Sequence, residues 1–167
     1  MNRFETGMLK LLLAQLSELY YCEHQLALLL ERLLPAAKDA SLVKQLRAHQ
    51  QETVQHARRL DEAFAELGER PREQPCRATK GLVEHGRATV EIMRDDPAID
   101  HALISVLQRI ELFETASYSS VLRLARTLGQ PTIARVAQEI LDEEMDAHAQ
   151  LERIARSLDG KPQHTTS

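Results

Sequence analysis

Seven residues in this chain have the types and spacing needed to hold metal ions. Glu23, Glu52, Glu111, Glu114 and Glu144 fall near the middle of long helical patterns, and His56 and His148 follow Glu52 and Glu144 by one turn. Residues three or four apart share a helix face, so Glu52 with His56, Glu111 with Glu114, and Glu144 with His148 are local pairs. His49 lies one turn before Glu52 and could join the first pair, while Glu143 competes with Glu144 for the inward position. An ionised carboxylate inside a bundle is costly unless it is paired or binds a cation. Several of them, projecting from separate helices at one level, fit a two-metal site. Carboxylate oxygen with some imidazole nitrogen suits iron(II) or manganese(II). No acidic calcium loop is present.

These side chains interrupt stripes that are otherwise apolar. Glu23 lies between Tyr20 and Leu26, Glu111 and Glu114 lie beside Leu107, Ile110 and Tyr118, and Glu144 lies between Ile140 and Leu151. A single Glu on an amphipathic helix ordinarily faces water. It is the coincidence of five on four helices that points inward. Tyr118 and Tyr20 are candidate hydrogen-bond donors to the carboxylates, with core packing as the ordinary alternative. His24, His85, His101 and His164 read as surface residues or local caps.

The elements that must position this set follow from periodicity and breakers. Helix one is predicted from Phe4 to Leu34, where Pro35 stops it, and helix two from Ser41, as N-cap, to Leu67, with Gly68 as terminator. A long connection over 69–99 contains a short amphipathic helix, Thr79 to Arg94. Helix three spans Ala98 to Leu128, Gly129-Gln130-Pro131 breaks the chain, and helix four continues to Leu158. Residues 159–167 are expected to form a disordered tail, leaving one domain over 1–158. A short, a long and a short link between four long helices predict an all-α, ferritin-like four-helix bundle. It comprises two antiparallel hairpins joined by a crossover that holds a short fifth helix. At about 1.5 Å of rise per residue, Glu23 and Glu52 both sit roughly 17 Å from the first turn, and Glu114 and Glu144 both sit about 20 Å from the second. Spacing alone does not fix the height of one hairpin against the other.

Composition narrows the classes. The 167 residues suffice for one full-sized core, and glycine and proline number only six each. A net charge of −4 argues against a nucleic-acid surface built on bulk charge. No apolar run approaches the roughly 20 residues of a membrane span. Cys22 and Cys76 form no CxxC pair, which argues against a zinc ribbon, a rubredoxin-type iron centre or a disulfide scaffold and fits a reducing cytoplasm. Cys22 reads as a small core or interface residue, and Cys76 lies in the crossover.

With these residues in view, the chain resembles the YciE/YciF family of ferritin-like bacterial stress proteins. The segments that carry the resemblance are Glu18-Leu19-Tyr20-Tyr21-Cys22-Glu23-His24-Gln25, His49-Gln50-Gln51-Glu52-Thr53, Cys76-Arg77-Ala78-Thr79-Lys80-Gly81-Leu82, Gln108 to Tyr118, and Leu141-Asp142-Glu143-Glu144. The resemblance implies a rubrerythrin-like di-metal centre in a homodimer, and a ferroxidase label. On matching positions it carries the ligand role to Glu23, Glu52, Glu111, Glu114 and Glu144, beside the His56 and His148 that spacing supplies, and it implies a packing or redox role for Cys76.

The expected function is therefore that of a di-iron protein, with two Fe ions per chain. It would oxidise Fe(II) or reduce oxygen or hydrogen peroxide in stress protection, with Glu111 and Glu114 as the carboxylates closest to the chemistry. Manganese catalase-like disproportionation of peroxide is the first alternative. Iron storage needs a cage that sequence does not reveal, and a rubrerythrin-type peroxidase would need an external electron donor. A metal-free helical scaffold or phosphotransfer bundle explains the helices but leaves the level carboxylates unexplained.

Overall fold

The computed structural model describes residues 2–160. Five helices account for nearly all of them: α1 (Arg3–Leu33), α2 (Ala40–Glu66), α3 (Arg77–Met93), α4 (Ile99–Thr127) and α5 (Pro131–Asp159), with a 3-10 turn at Leu34–Ala36. No strand occurs among the described residues. The predicted boundaries shift by one or two positions. Asp39, not Ser41, caps α2: its backbone is extended, and its carboxylate accepts from the N–H groups of Ser41 and Leu42, so Ser41 already lies in the first turn. Helix α5 runs through Asp159, and residues 161–167 of the expected tail, with His164, lie outside the described residues.

Two glycines terminate helices as their sequence positions suggest. Gly68 and Gly129 take φ of 67° and 65°, a left-handed conformation that costs other residues a steric clash. Each closes a Schellman motif. Gly68 N donates to Ala65 O and Glu69 N to Phe64 O, while Gly129 N donates to Arg126 O and Gln130 N to Ala125 O. The second motif turns the chain sharply into α5, which starts on Pro131.

Helices α1 and α2 form one antiparallel hairpin and α4 and α5 the other, with α1 against α4 and α2 against α5 closing the bundle. The crossover fixes the relative height of the hairpins. After α2 the chain returns along α1, where Gln74 N donates to Ser17 O at 3.0 Å, and α3 then packs against α1 and α4. The close approach of α3 needs Gly86, where an added Cβ would lie 3.0 Å from Leu29 Cδ2 and 3.3 Å from Val106 Cγ1. At the start of α4, buried Asp100 accepts from the N–H groups of Lys38 and Asp39 at 2.8 and 2.9 Å. That clamp sets α4 level with the first hairpin turn. Glu111, eleven positions after Asp100, then stands roughly 17 Å from that turn, the height already inferred for Glu23.

The hydrophobic core is divided. One cluster, near the first turn, joins Leu26, Leu29, Leu33, Leu42, Leu46, Ile99, Leu103 and Leu107. The other, at the opposite end, joins Leu12, Leu16, Leu60, Phe64, Val121, Ile133 and Ile140. Between them lies a buried polar layer of Glu23, His49, Thr53, His56, Glu111, Glu114 and Glu144.

Candidate metal centre

Each helix of the bundle contributes to this layer. Helix α1 supplies Glu23, α2 supplies His49 and His56, α4 supplies Glu111 and Glu114, and α5 supplies Glu144. Their donor atoms fall into two groups able to surround an ion. His49, Glu111, Glu114 and Glu144 form one, and Glu23, His56 and Glu144 form the other, with all donor atoms of a group within 4.8 Å of one another. Glu144 belongs to both. Every member is almost fully buried.

Helix register explains which predicted residues arrive. On α2 the inward positions are Leu42, Leu46, His49, Thr53, His56 and Leu60, alternating steps of four and three that keep one seam facing the core. Glu52 lies off this seam. It is half-buried, lines the outer groove between α2 and α5 with Arg59 and Glu143, and belongs to neither group. On α5 the inward positions Ile140, Glu144, Ala147 and Leu151 leave His148 on the flank, 24% exposed and 3.6 Å from Glu152. Glu23, His56, Glu111, Glu114 and Glu144 are brought together; Glu52 and His148 are not. The competition between Glu143 and Glu144 resolves in favour of Glu144, whose side chain is 1% exposed against 39% for Glu143. His49 is the member sequence left open, although its spacing of three after Leu46 and seven before His56 marks it as inward.

Contacts around the layer orient its donors. His56 Nε2 meets Glu143 Oε2 at 2.7 Å, while its Nδ1 faces inward, 3.0 Å from Glu144 Oε1 and 3.4 Å from Glu23 Oε2. Arg59 holds Glu143 from the other side with two hydrogen bonds. Tyr118 is fully buried and donates to Glu23 Oε1, so it serves the carboxylate as well as packing the core. Tyr20 stays outside, edge-on to His24 and Phe64. Cys22 Sγ lies 4.0 Å from Glu114 Oε1. His24, His85 and His101 pair locally with Glu73, Arg109 and Asp159.

The electrostatics are those of anions crowded away from water. Burial, followed by the charge of Glu144, raises Glu111 and Glu114 well above the usual carboxylate range. Burial likewise raises Glu23, partly offset by His56. Glu144 is lowered: burial opposes ionisation, but the close approach of His56, 3.0 Å away, and then nearby His49 outweigh it. Burial lowers His49, favouring a neutral ring. His56 goes the other way. Burial would depress it, yet Glu23 and Glu144 prevail and lift it to about 11. Burial, then Glu23, pushes the Cys22 thiol upward.

The layer fits divalent cations on its own chemistry. Glu23 Oε2, both ring nitrogens of His49, His56 Nδ1, Glu111 Oε2, Glu114 Oε2 and both oxygens of Glu144 are buried without a hydrogen bond of acceptable geometry. Buried polar atoms are rarely left so, and here they converge. Four carboxylates, once ionised, would balance the charge of two divalent ions, and neutral imidazoles would complete the set.

An all-helical bundle with a divided core and a waist of convergent carboxylates defines a class, and comparison places the chain within it. Residues 8–161 match the family described as Domain of unknown function (DUF892), and the chain belongs to that family. It is 31% identical to Protein YciF of Escherichia coli K12 over 141 residues, covering 84% of this chain and 85% of that protein, so the YciE/YciF resemblance holds. The crystal structure of the E. coli stress protein YciF superposes with a TM-score of 0.87 at 28% identity, over 92% of this chain and 98% of that one. YcfI from Rhodopseudomonas palustris, provisionally described as a structural protein, gives 0.85 at 31% identity over 91% and 97%. A Xanthomonas campestris protein, at 15% identity and a TM-score of 0.72 over 91% and 92%, shares the fold. Among the described residues no helix is long and apolar enough to cross a membrane.

Proposed function

We propose that this protein binds two divalent metal ions, iron in the first instance, in its polar waist and uses them to oxidise Fe(II) or to reduce oxygen or peroxide. The observation that carries the reading is the pair of donor groups that share Glu144, an arrangement suited to a bridging carboxylate. Bound iron(II) supplies one-electron redox chemistry toward an oxygen or peroxide oxidant.

The chain's own residues do the rest. Glu144 would serve both ions, since it belongs to both donor groups. Glu111 and Glu114, whose proton affinity is raised by burial and then by the charge of Glu144, would release protons on becoming ligands. Glu143 accepts from His56 Nε2 and so presents Nδ1 to the interior, the outer-layer orientation that metal-binding histidines commonly need. Tyr118 occupies one oxygen of Glu23 and leaves the other for binding. The group of Glu23, His56 and Glu144 has fewer donors than its neighbour, so an ion held there would keep more open coordination positions. The two apolar clusters keep bulk water from both. A homodimer, a cytoplasmic setting and a part in stress protection like that in the description of E. coli YciF belong to the same proposal.

Protein purified without chelator or affinity tag should contain iron or manganese on elemental analysis. After loading with Fe(II) it should consume oxygen or peroxide, and Glu111→Ala should lose that activity. Equal turnover by the variant and the parent removes the mechanism. Disproportionation of peroxide by the manganese form alone would instead select the catalase-like alternative.

A further inference from the structure

The two cysteines are distant in sequence but line one cavity. The segment returning along α1 is tied down by Gln74 N to Ser17 O at 3.0 Å, by Gln74 Nε2 to Glu18 Oε1 at 3.2 Å, and by Glu73 to His24 at 2.7 Å. It delivers Cys76 to the N-cap of α3. There Cys76 and Cys22 line a single cavity of about 110 Å³, walled also by Glu18, Phe113 and Ser117. Both are free thiols, Cys22 buried and Cys76 partly accessible. Thr79, one turn after Cys76, is fully buried, with its hydroxyl beside Cys22. The first turn of α3 is thus in contact with the buried thiol. Nothing in the proposed metal chemistry requires either sulfur. In a reducing compartment a paired disulfide is usually transient and redox-active.

We propose that Cys22 and Cys76 form a redox-active dithiol, oxidised by hydrogen peroxide or a small hydroperoxide to an intramolecular disulfide and restored by a thiol reductant. The accessible Cys76 reacts first. Its sulfur attacks a peroxide oxygen, the O–O bond breaks, and the departing oxygen leaves as water, or as an alcohol from a hydroperoxide, carrying the proton given up by the thiol. Cys76 is then a sulfenic acid. The Cys22 sulfur attacks the Cys76 sulfur, the S–O bond breaks, and the hydroxide leaves as water with the Cys22 proton. Two thiols lose two electrons, and one hydrogen peroxide becomes two waters. Return to the dithiol proceeds by thiol–disulfide exchange with an external dithiol. As an N-cap residue, Cys76 can shift toward Cys22 with its own N–H outside the helical ladder.

The test treats the purified full-length protein with equimolar hydrogen peroxide, with and without chelator, then alkylates it in denaturant and measures intact mass and non-reduced peptides. The expected result in both arms is loss of both alkylatable thiols, a mass lower by two hydrogens, a peptide linking Cys22 to Cys76, and reversal by dithiothreitol. In Cys76→Ser, Cys22 should stay fully alkylatable after the same dose. Oxygen added to Cys76 with Cys22 still free, a link between chains, or retention of both thiols overturns the proposal. So does a disulfide formed only in the arm without chelator, since direct attack by Cys76 needs no metal. That control also separates this proposal from the metal reading, because either can fail alone.

Discussion

Helices α2 and α5 carry the same Glu-x-x-x-His spacing, yet they turn opposite ends of it inward. From α2 the histidine, His56, reaches the waist, and Glu52 stays in the outer groove. From α5 the carboxylate, Glu144, reaches it, and His148 stays on the flank beside Glu152. Two residues one turn apart differ by about 40° around the helix, so a seam can accept one and exclude the other. What decides is the apolar frame. In α2, Leu46 and Leu60 share a stripe with His49, Thr53 and His56; in α5, Ile140 and Leu151 share one with Glu144 and Ala147. The hairpins consequently play different parts. The first gives two imidazoles and one carboxylate, and the second gives three carboxylates.

The strongest challenge to this contrast is removal of the residue both donor groups use. Glu144→Ala should abolish binding of both ions, read as metal per chain by elemental analysis; an unchanged stoichiometry would sink the bridging arrangement. Next in size, His56→Ala should empty one position. In the metal-free protein it should also cost about 3–5 kcal/mol in urea denaturation, because Glu23 and Glu144 lose the cation between them. Glu52→Gln, one turn away, should keep both ions, and a variant that loses one would restore the symmetric picture that spacing alone suggests.

Acidity sharpens the comparison further. His56 is lifted to about 11 and so binds a proton more tightly folded than unfolded. Its contribution is complete below the ordinary histidine range and is lost as pH rises through about 11. Glu111 and Glu114, also raised, act in the same direction, starting from the ordinary carboxylate range. Metal-free protein should therefore lose stability as pH climbs from neutral toward 11, whereas metal affinity should increase as the ligands shed protons. Denaturation midpoints and calorimetric proton release across pH check the two trends. The smallest effect is expected for His148→Gln, with metal content unchanged and stability within about 0.5 kcal/mol of the parent.

Much of this arrangement was legible in the sequence. Leu-rich periodicity, Pro35, Gly68 and the Gly129-Gln130-Pro131 break give the helices and their order, and Glu23, Glu111, Glu114 and Glu144 stand out as charges on apolar stripes. Two things were not. On α2 the Glu-x-x-x-His motif offers Glu52 as readily as His56, and only the seam that runs from Leu46 through His49, Thr53 and His56 to Leu60 separates them. The height of one hairpin against the other depends on Asp100 reaching the N–H groups of Lys38 and Asp39, a long-range contact that no local pattern announces. The meeting of Cys22 and Cys76 has the same origin, since it follows from the path of the crossover along α1.

Helices in most proteins loosen from their tips. A bundle whose oily packing is severed at mid-height invites the reverse when no cation bridges the gap. In deuterium oxide, amides around Glu23, His56 and Glu144 in the chelated protein should then exchange ahead of those packed in either apolar end, and iron should slow them most. Mineral nutrition would thereby set how firmly the two ends move as one body.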